Sequence, residues 1–318
     1  MPKTQSKSSQ KTKAKAKTKD ARKTRRLQKM NCNPAVASKT IGPNSCITKD
    51  VLIQLKESYN HNHPDTRIHS STPAKIWNDM KNRLQLCKKE DCWLNEIADP
   101  TVRKSLDKYL FAPDQPDKWK QSPHSWLTNF DIMHVLRQYE EAYPEFRLIG
   151  PSPIDFDTRI PDETGDCVWT ELCDLDIRKQ IESGKRKFGI VFNLDKHYEP
   201  GSHWVSLYID LDDAFIFYMD SAGSSIPAEI NRLVQRIIQQ GLTLDQPIDM
   251  QFHENFPTTH QYGNNECGMY TLYFIITMLT NKTTYKSFTN YLNKIHFFKR
   301  KRISDKHVFN LRKLYFNS

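Results

Sequence analysis

The sequence predicts an α+β fold in which helices surround a central mixed sheet. Three observations predict it. Apolar residues recur at helical spacing from about residue 48 to 142, the period shifts to two from about residue 187, and helical patterns return after the strands. No internal repeat is evident along this order.

The chain divides into a basic tail (1–45), a helical, arm-like N-terminal region (46–123) and a main domain (124–318). The first thirty residues hold twelve Lys/Arg against a single Asp20 and almost no large apolar side chains. Such a composition cannot bury enough surface to fold, so the tail is expected to be disordered. Its net +11 exceeds the +10 of the whole chain, which leaves the remainder at −1. The tail also explains the mean hydropathy of −0.71 in a chain with 16 Phe, 13 Tyr and 6 Trp to build a core. Charge alone carries no sequence specificity. The tail therefore reads equally as a flexible extension, a nucleic-acid contact, a nuclear address or a tether to an acidic partner.

In the arm-like region, Thr48-Lys49-Asp50 is placed to cap a helix carrying Val51, Leu52, Leu55 and Tyr59. Thr72-Pro73 opens a second, with Ile76, Met80, Leu84 and Leu86 as apolar points, and Asp99-Pro100 a third, with Val102, Leu106, Tyr109 and Leu110. After a Pro-rich break at 113–123, Asn129 is the expected cap of a helix bearing Ile132, Val135, Leu136 and Tyr139. Phe188 to Leu194, His203 to Leu211 and Ala214 to Met219 alternate as strands. Pro227 opens a helix with Ile230, Leu233, Val234, Ile237 and Ile238, and Ile248 to His253 is a short strand. A strongly apolar helix follows Cys267, and Tyr285 to Phe298 forms another.

The seven cysteines are odd in number and scattered in spacing, and no secretory apolar segment precedes them. Mostly free thiols in a reducing compartment are expected. No run approaches the roughly 18 apolar residues of a membrane-spanning helix, so a soluble protein is expected.

Candidate chemistry begins with a hairpin. If Asp212-Asp213 form a two-residue turn, Leu211 pairs with Ala214, His203 lies opposite Ala222 and Asp220 opposite Val205. His203 and Asp220 then share a face as diagonal neighbours, about 7–8 Å apart at the backbone. That face also carries Val205, Leu207, Ile209, Ile216 and Tyr218 and is expected to be the buried one. Unpaired polar groups there would cost a few kcal/mol, and pairing with each other removes that cost. A three-residue turn would separate the two; a four-residue turn restores them. Taken alone, the hairpin is equally a satisfied core His–Asp pair without chemistry.

Cys267 adds a nucleophile. Asn264 or Asn265 is a natural cap that would place Cys267 in the first turn of the apolar helix, where the helix dipole and a nearby imidazolium favour a thiolate. Gly268 is expected to leave room for a substrate carbonyl. Gln261, six residues before Cys267 in a His-Gln-Tyr-Gly-Asn-Asn loop, and the Cys267 N–H would make a two-donor oxyanion hole. By itself a Cys followed by Gly and an apolar helix is commonly an inert buried thiol.

These residues carry a resemblance. Gly201-Ser202-His203-Trp204-Val205, then Tyr218-Met219-Asp220-Ser221-Ala222-Gly223, then Gln261 with Glu266-Cys267-Gly268, resemble the adenovirus-protease and SUMO-protease superfamily. Trp126 to Ile132 and Pro227 extend the similarity to polyprotein-processing proteases of large DNA viruses of the African swine fever virus type, from about residue 85 to the C-terminus. The resemblance implies a papain-like catalytic domain over 124–318, with His203 as general base, Cys267 as nucleophile, Asp220 as orienter and Gln261 in the oxyanion hole. It implies cleavage after Gly-Gly-type sequences during virion maturation, in the virion and host cytoplasm, without a cofactor. A narrow cleft that excludes side chains suits Gly-Gly, and Trp204 is a candidate wall for it. The tail lies outside the resemblance.

Other residues draw weaker readings. His61, His63 and His69 beside Asp65 lack ligands at a recognised metal spacing. Cys87, Cys92, Cys167 and Cys173 read as structural thiols. His197 is the rival histidine, expected in a loop with a surface or substrate-facing role; Trp126 reads as core or cleft. Two other functions remain open: a deubiquitinase or SUMO-type isopeptidase using the same residues, and a non-catalytic nucleic-acid-binding protein acting through residues 1–30.

Overall fold

The computed structural model describes residues 26–160 and 165–318. The expected disorder of residues 1–25 therefore lies outside the described residues. The tail boundary at 45 is corrected. From about residue 30 the chain is docked, with Met30, Val36, Cys46 and Ile47 buried and the buried Asn33 amide donating to the Lys108 carbonyl at 2.9 Å. Few apolar residues mark this stretch, so it packs mainly through backbone and asparagine hydrogen bonds, which composition does not reveal.

The N-terminal region has its own core. Helices α1 (Lys49–Asn62), α2 (Pro73–Arg83) and α3 (Pro100–Leu110) pack Leu52, Leu55, Ile76, Met80 and Leu110 around Trp93. Thr48 caps α1 and Asp99 caps α3, as the spacing predicts. Helix α2 ends at Arg83, so Leu84 lies beyond it and Leu86 is 97% exposed. The thiol expectation is corrected as well: the fold brings Cys32 to Cys46, Cys87 to Cys92 and Cys167 to Cys173 as disulfides, leaving Cys267 as the free cysteine. Tertiary packing, not spacing, decides that pairing.

The main domain is built on a five-stranded mixed sheet in the order β1-β2-β3-β4-β5. These are β1 (Phe146–Pro153), β2 (Lys187–Asn193), β3 (Trp204–Asp210), β4 (Phe215–Met219) and β5 (Gln251–Glu254). The β2–β3 and β3–β4 pairs are antiparallel, and β1 and β5 add in parallel at the edges. Helix α4 (Asn129–Ala142) precedes β1; α5 (Thr170–Cys173) and α6 (Ile177–Glu182) lead into β2; α7 (Ala228–Leu242) crosses between β4 and β5; and α8 (Cys267–Thr280), α9 (Tyr291–Arg300) and α10 (Asp305–Tyr315) close the chain. The cap of α4 is Thr128, in a capping box with Asp131, and not Asn129. Helix α9 starts six residues later than the apolar spacing suggests, leaving Tyr285 in a loop.

The hairpin register is the expected one. Ser206 pairs with Met219, Leu207 with Tyr218 and Asp210 with Phe215. Four residues, 211–214, span the turn, with Asp210 accepting from the Asp212 and Asp213 amides. Val205, Leu207, Ile209, Ile216 and Tyr218 are buried against α7. The opposite face is buried too: Tyr208, Phe215, Phe217 and Met219 pack against α8, α9 and α4. A sheet covered on both sides needs apolar residues at consecutive positions, which is what β2 to β4 supply.

Candidate active site

The start of β3, the turn after β4 and the start of α8 converge. His203, one residue before β3, and Asp220, one residue after β4, are joined by a 2.6 Å hydrogen bond between Nε2 and Oδ1. Asp220 is buried and the His203 side chain is 21% exposed. The Cys267 thiol acts on the imidazole as well, raising the His203 pKa together with Asp220, which places the sulfur beside the ring. The three residues singled out on separate segments thus form one array.

Its electrostatics follow from the contacts. Burial works to lower the His203 pKa, yet the hydrogen bonds and charges of Asp220 and Cys267 together push it up to about 9. Burial likewise works to raise the Asp220 pKa, but His203 and the Ala222 and Ser224 amides hold the carboxylate below its usual range. An imidazolium is therefore stable beside the sulfur near neutral pH, and a cation there stabilises negative charge on it.

Three supports escaped the sequence reading. The first is Asn255, fully buried after β5: its Oδ1 accepts the Asp220 N–H at 2.9 Å and its Nδ2 donates to the Asp220 carbonyl at 2.7 Å. It clamps the Asp220 backbone from both sides. The second is the buried ion pair of Glu266, the residue before Cys267, with Arg312 of α10, at 2.9 Å. Arg312 also donates to the Pro123 and Ser125 carbonyls and stacks over Trp119 at 4.2 Å. The third is Tyr270 on α8, whose hydroxyl reaches the Ile303 carbonyl at 2.8 Å and Asp305 at 3.0 Å. An acid before the cysteine and an Arg among the apolar residues of the last helix were the visible signals, but only folding brings them together.

The helix start differs from expectation. Glu266 holds the cap position, without a side-chain capping bond, and Cys267 is the first helical residue. Asn265 instead accepts from the Trp126 indole at 3.1 Å. Asn264 and Asn265 are thus not the cap, because tertiary contacts hold this end of the helix. The Cys267 N–H, at the first helical position, has no intrahelical acceptor.

Gln261 lies in the loop between β5 and α8. Its Oε1 accepts from the Ser221 hydroxyl at 2.8 Å, its Nε2 donates to the Gly263 carbonyl at 2.7 Å, and its backbone N–H bonds the Ser221 carbonyl. The loop is thereby tied to the Asp220 turn. A primary amide carries two hydrogens, so Gly263 uses one and leaves the other.

A Cβ at Gly268 would lie 3.0 Å from the Leu127 Cβ, so Leu127 fills the space on the side where a side chain would project. Glycine permits close packing of segment 126–128 on the helix start. Trp204 donates to the Leu127 carbonyl at 3.1 Å. Trp204, Leu127 and the 39% exposed Trp126 line a groove of about 580 Å³, with Gly201 and Pro151 also on its walls. His197, the rival histidine, sits on this groove, with Nδ1 2.7 Å from Asp155. It belongs to the groove and not to the His203–Asp220–Cys267 array.

Comparison with known proteins bears on the chemistry. Residues 190–316 match the Ulp1 protease family, C-terminal catalytic domain. A thiol protease of Acanthamoeba polyphaga mimivirus is 26% identical over 258 residues, covering 75% of this chain and 82% of the relative. A SUMO-1 cysteine protease of African swine fever virus is 28% identical over 270 residues, covering 78% of this chain and 91% of the relative. The crystal structure of an African swine fever virus protease shares the fold, with a TM-score of 0.59 at 21% identity over 92% of this chain and 97% of that one. A free cysteine at the head of α8, close enough to shift the pKa of a histidine that an aspartate holds, lies inside the matched segment. The chain is a cysteine protease whose residues 190–316 match the Ulp1-type catalytic domain and which is similar to thiol proteases of large DNA viruses.

Proposed function

We propose that the protein is an endopeptidase that cleaves structural polyproteins after Gly-Gly-type sites during virion maturation. Cys267 is the nucleophile, His203 the general base, Asp220 its orienter, and Gln261 with the Cys267 N–H the oxyanion hole. The observation that carries this reading is the imidazole bonded to Asp220 through Nε2 with the Cys267 thiol acting on the same ring.

The steps follow from that arrangement. The thiol proton passes to His203, and the imidazolium is stabilised by the buried Asp220 carboxylate. The thiolate attacks the scissile carbonyl, and the developing oxyanion meets the Cys267 N–H and the free Gln261 amide hydrogen. His203 returns its proton to the departing amine, and water activated by the neutral imidazole hydrolyses the thioester. The groove between Trp126 and Trp204 is taken as the substrate's approach to this centre, since its wall residue Leu127 packs on Gly268, next to Cys267, and Trp204 follows His203. Aromatic walls on both sides favour residues without a Cβ next to the scissile bond. By the same reading the enzyme works in the virion and the host cytoplasm, and the basic residues 1–30 tether it to nucleic acid or an acidic partner.

Incubation with a Gly-Gly-x peptide followed by mass spectrometry tests the proposal. Cleavage after the second Gly that Cys267→Ala abolishes is expected; intact peptide with the wild-type protein would contradict it. A second reading, a SUMO-type isopeptidase, is favoured by the name of the African swine fever virus relative. SUMO or ubiquitin carrying a C-terminal electrophile should label the isopeptidase and leave a maturation endopeptidase unmodified.

A further inference from the structure

The basic charge outside the tail is not spread evenly. Residues 281–318 hold ten Lys/Arg and one acid, Asp305, whereas residues 31–280 carry a net −10. Two of the ten are consumed inside the fold: Lys294 donates to the Met278 carbonyl, and Arg312 pairs with Glu266. The densest remainder is the unbroken run Lys299-Arg300-Lys301-Arg302 at the end of α9, where Arg300, Lys301 and Arg302 are exposed, as is Lys306 shortly after.

Neighbouring acids do little to neutralise this run. Asp305 pairs with Arg302 at 3.2 Å but also accepts from the Tyr270 hydroxyl and the Tyr262 amide. Glu254 spends its carboxylate on the Ile226 amide. On the edge strand β5, the pKa of His253 is lowered by burial and then by Lys299 and His296, which places both of those side chains near this sheet edge. The run is also held in place: Thr258 bonds the Lys299 carbonyl, His260 accepts from the Ile303 amide at 3.0 Å, and its Nε2 reaches the Phe298 carbonyl at 2.9 Å.

Aromatic residues lie among these cations. Tyr262 is 72% exposed and has the Arg302 guanidinium 3.6 Å from its ring centroid, and Phe256 on the same loop is half exposed. A surface that recognised an acidic polypeptide would have no use for bare rings. A rigid line of cations beside an exposed, guanidinium-backed ring is what a nucleic-acid strand requires: phosphates for the charges and a base for the ring.

We propose that the segment Lys299 to Lys306, together with Tyr262, is a nucleic-acid-binding surface, the phosphates seated on the basic run and a base stacked on Tyr262. It is a different segment of the sequence from the basic tail and adjoins the loop that carries Gln261. The proposal stands independently of the cleavage specificity.

The test is fluorescence anisotropy of the full-length protein with a labelled oligothymidine of roughly 20 nucleotides, longer than one typical single-strand site. The salt concentration is varied, so that the tail's contribution is common to every protein compared. Arg300→Glu/Lys301→Glu should weaken binding on the order of tenfold and reduce the magnitude of the log–log salt slope by about 1.4, the value for two lost single-strand contacts. Tyr262→Ser should weaken binding on the order of tenfold with the slope unchanged. Peptidase activity retained by the charge-reversed protein shows that it is folded; if it is inactive, Arg300→Gln/Lys301→Gln replaces it with the same expected direction. Unchanged affinity and slope in the basic-run variant would assign all binding to the tail and overturn the proposal. Polyglutamate that competes as well as oligothymidine at equal charge, with Tyr262→Ser neutral, would overturn it in favour of an acidic protein partner.

Discussion

Replacing Asp220 by Asn removes the charge opposite His203 while keeping an oxygen in place. His203 stands at about 9 against its ordinary 6.5, so the buried imidazolium is favoured by roughly 3 kcal/mol. Burial acts against that preference, and Asp220 and Cys267 share the responsibility for it. Losing an opposite charge at 2.6 Å should lower the His203 pKa by about 1–2 units, within the usual effect of such a neighbour. The alkaline limb of kcat/KM, measured on a Gly-Gly-x peptide across neutral to alkaline pH, should therefore move from about 9 to about 7–8. Stability should follow the same sign. Because the folded pKa of His203 lies above its unfolded value, its stabilisation is complete below pH 6.5 and disappears as pH rises through about 9. The Asp220 carboxylate, held below its ordinary 3.8, contributes above that pH and loses its contribution as pH falls further. Thermal melts of the wild type should thus decline between pH 6.5 and 9 more steeply than those of Asp220→Asn. An alkaline limb that stays near 9 in Asp220→Asn would refute the reasoning, because Asp220 would then not be what keeps the imidazole protonated.

Three further outcomes follow from the supports of the site. Arg312→Met leaves Glu266 as an uncompensated buried charge and should cost about 3–5 kcal/mol in urea unfolding, with Glu266→Gln/Arg312→Met recovering part of the loss; a single variant within ~1 kcal/mol of wild type would contradict the pair's role. Asn255→Ala strips two hydrogen bonds from the buried Asp220 backbone and should lower kcat with little change in KM, at a stability cost of about 1–3 kcal/mol per unpaired group; an unchanged kcat would show that the turn holds itself. Gly268→Ala drives a Cβ to 3.0 Å from Leu127 and should raise KM through displacement of the groove wall while costing about 1–3 kcal/mol; a wild-type KM would separate Leu127 from substrate binding.

The hairpin was legible because alternation and turn length fix its register, and register decides whether His203 and Asp220 share a face. The apolar α8 and the caps at Thr48 and Asp99 were legible for similarly local reasons. Strand β1 was not, since Gly150-Pro151 interrupts it and shifts the ladder between Ile149 and Ser152, so its sequence reads as a turn. Asn255, Arg312 and Leu127 escaped for another reason. Each acts through a partner 35, 46 or about 140 residues away along the chain, and no periodicity encodes such a meeting. Gly268 was legible as special, but that Leu127 packs against it was not, because the two are about 140 residues apart.

The most direct test of the account is to locate the residue that reacts with a peptide ending in Gly-Gly and a C-terminal electrophile. Peptide mapping by mass spectrometry should place the adduct on Cys267, the free cysteine of the structure, and the adduct should be lost in His203→Ala while the protein remains folded. Labelling on another cysteine, or labelling of Cys267 at an unchanged rate without His203, would contradict the assignment of this array as the catalytic centre.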